Sequence, residues 1–144
     1  MKRNTKFLFV VALIGAISQY SWSQTFSSKK NQTVAENILN AAINSVPFND
    51  VYSAGRVYFQ ANELLTTNSS LVLKKKGDEV SIVDKSQMEE GHSYVVLGDF
   101  TLDWNNPTSA RLQFVVMPDN IMLGMRLVKN RDDWIVDDYV QFKY

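Results

Sequence analysis

Cysteine is absent from this chain of 144 residues. That excludes a disulfide framework and also a lipid-bearing cysteine near the N-terminus. Histidine occurs once, at His92, so a zinc centre built on imidazole and thiolate has too few ligands. No nucleophile elbow, phosphate-cradling glycine loop or Cys–His pair occurs. Neither sign of charge dominates, with 15 basic residues against 15 acidic ones. Long hydrophobic runs are scarce too. The run from Phe7 to Ile17, FLFVVALIGAI, has eleven residues, too few to cross a bilayer as a helix.

That run is still informative. Lys2, Arg3 and Lys6 form a positive segment around its start, and Ser21 and Ser23 place small residues at −3 and −1 of a cleavage site before Gln24. Together they predict a secretory signal peptide over 1–23. The rival reading, a retained N-terminal anchor, is disfavoured by the short apolar core. The expected localisation is therefore export, to a periplasm or the medium. Removal of three basic residues leaves the remainder mildly acidic, which argues against nucleic acid as a partner. Without disulfides, residues 24–144 must hold together by burial, and they suffice for one domain with a core.

Residues 24–32 read as a flexible lead-in to a single α+β domain over 33–144. Thr33 followed by Glu36 has the pattern of a capping box. Val34, Ile38, Ala41, Ala42 and Ser45 then step at helical spacing until Pro47, predicting a helix from Thr33 to Val46. Phe48–Leu65 also steps at helical spacing (Val51, Ala54, Tyr58, Ala61, Leu65) and is expected to be a second helix. The alternative is that RVYFQA, at 56–61, forms a short strand. From Leu71 the chain reads as β. Leu71–Val83 is a hairpin turning near Lys76-Gly77-Asp78, and Asp84–His92 is a polar connector with room for one helical turn. Strands are expected at Ser93–Trp104, Ser109–Met117, Ile121–Lys129 and Trp134–Tyr144. Their short turn-forming links make them an antiparallel meander.

Strand parity divides the faces. Tyr94, Val96, Phe100, Leu102 and Trp104 form one expected core row, followed by Ala110, Leu112, Phe114 and Val116, then Ile121, Leu123, Met125 and Leu127. In the last strand Trp134, Val136, Val140, Phe142 and Tyr144 share a face on which Asp138 falls. The expected fold is α+β, with one or two N-terminal helices packed on a curled antiparallel meander. Gly98, mid-strand, is placed to form a bulge that bends it. The opposite face is semi-apolar. Val95, Leu97, Val115, Met117, Met122, Val128, Ile135 and Tyr139 fall on it and are interface candidates.

Helices first, a curled meander after, and the ending LGMRLVKNRDDWIVDDYVQF resemble the nuclear transport factor 2-like superfamily. Its final hairpin often runs from an apolar strand through a polar turn to a tryptophan opening the last strand, the place of Trp134. The usual third helix is missing, since Asp84–His92 is too short for one. A cystatin-like fold, one helix gripped by a meander, shares these features if RVYFQA is a strand. The resemblance implies an architecture and no particular activity. It also implies that a working acid or base would sit at the concave face of the sheet, and that pairing would use the other face.

Four aspartates crowd the ending. Asp132 and Asp133 fall in a turn, and Asp137 points to the polar face with Gln141 and Lys143. DDWIVDD lacks the alternating oxygens, glycine and distal glutamate of a calcium loop, so no metal is expected. Asp138 is the one catalytic candidate. Parity turns it inward, where a lone carboxylate is costly. Three outcomes follow: a bulge turns Asp137 and Asp138 outward, Asp138 pairs with a buried tyrosine or arginine, or it lines a concave cavity as an acid or base. His92, beside Glu89 and Glu90, reads as a solvated loop residue. The three lysines of LKKKGDE read as a solvated hairpin tip and a weak patch for anions.

These observations favour a non-catalytic ligand-binding or protein-interaction module of the cell envelope, needing no cofactor. Its partner would be a second copy or another protein at the semi-apolar face, or a small molecule. The alternative is a small hydrolase or isomerase using Asp138, and a further one is an inhibitor or immunity-type partner protein.

Overall fold

The computed structural model describes residues 28–144, so the expected signal peptide lies outside the described residues. The first helix, α1 (Lys29–Ile43), begins earlier than the Thr33–Glu36 pattern predicts. Ser28 is its N-cap, its hydroxyl oxygen accepting from the Asn31 amide at 3.3 Å. Thr33 instead donates to the Lys29 carbonyl one turn back. Ala35, Ile38, Leu39, Ala42 and Ile43 form the buried stripe, the i, i+3, i+4, i+7 face of an amphipathic helix. Ser45 caps a second, six-residue helix, α2 (Val46–Val51). Pro47 sits in its first turn, where its missing N–H costs nothing. It opens a helix rather than ending one.

The long second helix expected over Phe48–Leu65 does not form. Beyond α2 the chain extends into β1 (Tyr58–Gln60), the strand alternative of the sequence. β-Branched and aromatic residues prevail there because Phe59 and Val57 are buried against the sheet. A small hairpin follows, β2 (Lys74–Lys75) and β3 (Asp78–Glu79), with Lys76 and Gly77 both at positive φ in its two-residue turn. That backbone matches the twist of a tight hairpin. β4 (Ser81–Val83) and one 3-10 turn at Lys85–Gln87 lead to the meander β5 (Tyr94–Leu102), β6 (Ser109–Met117), β7 (Ile121–Asn130) and β8 (Asp133–Lys143).

The main sheet has the order β4-β1-β5-β6-β7-β8. β5 to β8 are antiparallel, as their short links require, whereas β1 runs parallel to both β4 and β5. α1 and α2 pack on the inner face and complete an α+β fold on a mostly antiparallel, curled sheet. Phe48 lies edge-on to Phe114 at 5.4 Å, and Phe59 meets the same ring at 5.9 Å. Trp134, buried at the start of β8, closes the far side of this core.

Two bulges decide which residues reach that core. Pairing slips between Leu97 and Asp99, leaving Gly98 as the extra residue of β5. A second slip leaves Asp137 extra in β8, between the pairs Leu127–Val136 and Arg126–Asp138. An extra residue reverses the facing of everything beyond it and strengthens the local twist. Val95 and Leu97 therefore face the core, each at 0% exposure, and so does Phe100 beyond the bulge. Tyr94 and Val96, expected in the core row, lie half-buried on the outer face.

A different device docks the segment leading into β2. Glu36, Asn40 and Asn44 form an i, i+4, i+8 row on α1. The Glu36 carboxylate accepts from the Val72 amide at 3.1 Å. Asn40 Oδ1 accepts from Lys74 N at 2.8 Å, and its Nδ2 donates to the Val72 carbonyl at 3.1 Å. Asn44 Oδ1 accepts from Lys76 N at 2.8 Å, and its Nδ2 donates to the Lys74 carbonyl at 2.8 Å. Four helical residues advance about 6 Å and two strand residues about 6.6 Å, so the two repeats stay in step. Helix side chains take the part of a neighbouring strand. Leu71, Leu73 and Lys75 are thereby turned inward, and Val72, Lys74 and Lys76 outward.

Candidate functional site

The outer face of the meander is built from cross-strand rows. Val96, Val115, Met122 and Phe142 pair in succession and form one apolar row across all four long strands. Next to it run Asp99, Gln113, Gly124 and Val140, and then Thr101, Arg111, Arg126 and Asp138. Val128 and Ile135 close the far end beside Ser109. A shallow groove of about 340 Å³ runs over the middle rows, lined among others by Arg111, Gln113, Arg126, Asp138 and Val140. Gly124 makes room there. A Cβ on it would stand 3.2 Å from Val140 Cγ1, so the bare backbone lets Val140 lie across β7.

The interface candidates divide accordingly. Val115, Met117, Met122, Val128 and Ile135 do lie on the outer face. Val95 and Leu97 do not; the Gly98 bulge carries them into the core. Tyr139 pairs with Met125, on the core-facing side, because the Asp137 bulge shifts it; at the edge strand it still keeps 53% exposure. The same bulge moves Val140 and Phe142 out of the expected core row. They stand 58% and 47% exposed on the outer face, opposite Gly124 and Met122.

Asp138 takes the first of its three courses. It is exposed, opposite Arg126 on the outer face, and its Oδ1 accepts from the Tyr139 amide at 2.9 Å. Asp137 forms an ion pair with Arg126. Asp138 therefore lines the groove, and neither carboxylate enters the core. His92 is exposed, its Nδ1 3.3 Å from the Glu89 carboxylate. Both border a small cavity of about 140 Å³ with Tyr58, Ser93 and Tyr94. A solvated pair of this kind is held weakly. Among the described residues no cluster of three or more His, Cys, Asp or Glu side chains is placed to hold a metal, and no helix is long and apolar enough to cross a membrane.

Comparison adds no relative. No protein-family model matches the chain, nor does any curated protein or solved structure.

Lys75 is a further residue whose place differs from the sequence expectation. Instead of sitting at a solvated tip it is buried at 7% exposure. Its Nζ donates to the Tyr52 carbonyl at 3.2 Å and rests 5.1 and 5.2 Å from the ring centres of Phe48 and Tyr52. Burial pushes its ammonium below the ordinary lysine range, with Lys76 adding to the effect. Burial also pushes the Tyr52 phenol up; its hydroxyl donates to the Arg56 carbonyl at 2.8 Å and lies 3.1 Å from the Ser93 carbonyl. The signal was present in LVLKKK. Lys75 continues the alternation of Leu71 and Leu73, which outweighs its membership of a lysine run.

Proposed function

We propose that the protein is an exported, non-catalytic interaction module that works by covering the outer face of its sheet with protein. The observation that carries this reading is the row Val96–Val115–Met122–Phe142. It reaches the edge strand, where Phe142 and, in the next row, Val140 are large, apolar and exposed. Contiguous apolar surface left in water marks an interaction site more often than scattered single residues do. Two rows on, Arg111, Arg126 and Asp138 supply a polar rim that fixes orientation. The same bulge that turns Asp138 away from the concave side turns Val140 and Phe142 onto this face.

The simplest partner is a second copy. Two such faces stacked across a two-fold axis bury both apolar rows at once. Sedimentation velocity over a range of concentrations, on protein purified after export, tests this. The expected result is a dimer that Phe142→Glu converts to a monomer with an unchanged far-UV spectrum. A wild-type chain that stays monomeric at every concentration contradicts self-pairing.

A further inference from the structure

A cation removed from water needs a counter-ion or a full set of acceptors. Lys75 has neither. Its ammonium has three N–H donors, and one acceptor, the Tyr52 carbonyl, is provided. Aromatic faces offset part of the lost hydration. Among the described residues no carboxylate forms an ion pair with it. The remaining residues, 1–27, contain no Asp or Glu. Asp78 is the directly opposite residue in the hairpin, but it is exposed and not ion-paired to Lys75. Lys75 also lines a surface cavity of about 240 Å³, together with Tyr52, Ser53, Gly55, Lys76 and Asp78.

We propose that this cavity binds a small carboxylate, for which Lys75 is the buried counter-ion. The carboxylate oxygens take up the ammonium's remaining donors in charge-assisted hydrogen bonds, with Ser53 on the cavity wall beside them. A monoanion fits better than a phosphate dianion, because one buried positive charge faces it and Asp78 stands at the rim. Burial holds the Lys75 ammonium below its usual range in the unliganded site, and a bound carboxylate reverses that direction.

Acetate and succinate are the probes, titrated at constant ionic strength against chloride, with phosphate as a separate arm. Thermal unfolding and amide NMR are read on wild type, Lys75→Met and Asp78→Asn. The expected result is a saturable rise in melting temperature with acetate or succinate, accompanied by shifts of the Ser53 and Gly55 amides. Lys75→Met loses both responses. Asp78→Asn binds more tightly, because a competing carboxylate is gone. If Lys75→Met does not fold, the titration midpoint of wild-type Lys75, followed through its ¹³Cε resonance, must move up when acetate is present. An unmoved midpoint, an equal response to chloride, or saturation by phosphate alone overturns the proposal.

Discussion

Lys75 shows how one residue is set by its neighbours' parity. Its pKa lies below the ordinary 10.5 because burial disfavours the charged form. As pH rises from the folded value toward 10.5, the unfolded chain keeps a proton that the folded chain has released, so stability rises. Tyr52 acts in the other direction. Its phenol is raised above 10.0, so above that pH the folded chain keeps a proton the unfolded chain loses, and stability falls. Urea melts of wild type and Lys75→Met between about pH 7 and 10 isolate the lysine. Wild type gains on the variant as pH rises, and a flat difference contradicts the burial. Asp138 is the opposite case. Exposed beside Arg126, it tolerates Asp138→Asn with a change within about 0.5 kcal/mol. Trp134 was legible from the sequence as a core residue opening the last strand. Trp134→Ala should cost about 3–5 kcal/mol, and a loss under about 1 kcal/mol in the same melts would place it at the surface. Asp138 was legible only as a conflict, because an inward carboxylate among valines signals a bulge without saying which face wins.

Among the elements, the meander strands were readable because alternation and turn residues agree over long stretches, and Ser109–Met117 matches its expected bounds. β1 was not, since three residues carry too little period to outweigh the helical spacing around them. The helix start moved because Ser28 offers the cap that Thr33 had been assigned. No pattern rule marks the row Glu36–Asn40–Asn44, yet it bonds the backbone of Val72, Lys74 and Lys76. Asn40→Ala removes two of these bonds and leaves the Lys74 amide and Val72 carbonyl to find other partners. It should destabilise by roughly 1–3 kcal/mol. Hydrogen exchange should localise the added opening to residues 72–76. Exchange that speeds up evenly over the whole chain would mean that the row does not act as a dock.

At the scale of the whole molecule, the fold class followed from composition and order: no disulfides to staple the chain, apolar strands in sequence, and helices alone to cover one face. The facing of half the edge strand did not follow, because it depends on a single-residue slip at Asp137, whereas the slip at Gly98, which the mid-strand glycine marks, sets β5. Those slips move Val95 and Leu97 inward and bring Val140 and Phe142 out, so they define the outer surface. That this surface is covered by protein is the central claim, and the methionines report on it directly. Met117 and Met122 lie half-buried on the outer face, and Met125 is buried in the core. In ¹³C-methyl methionine spectra recorded over a dilution series, the Met117 and Met122 resonances should shift and broaden as concentration rises, while Met125 holds still. Methyl resonances that ignore concentration, or a response at Met125 instead, would contradict the outer face as the site of association.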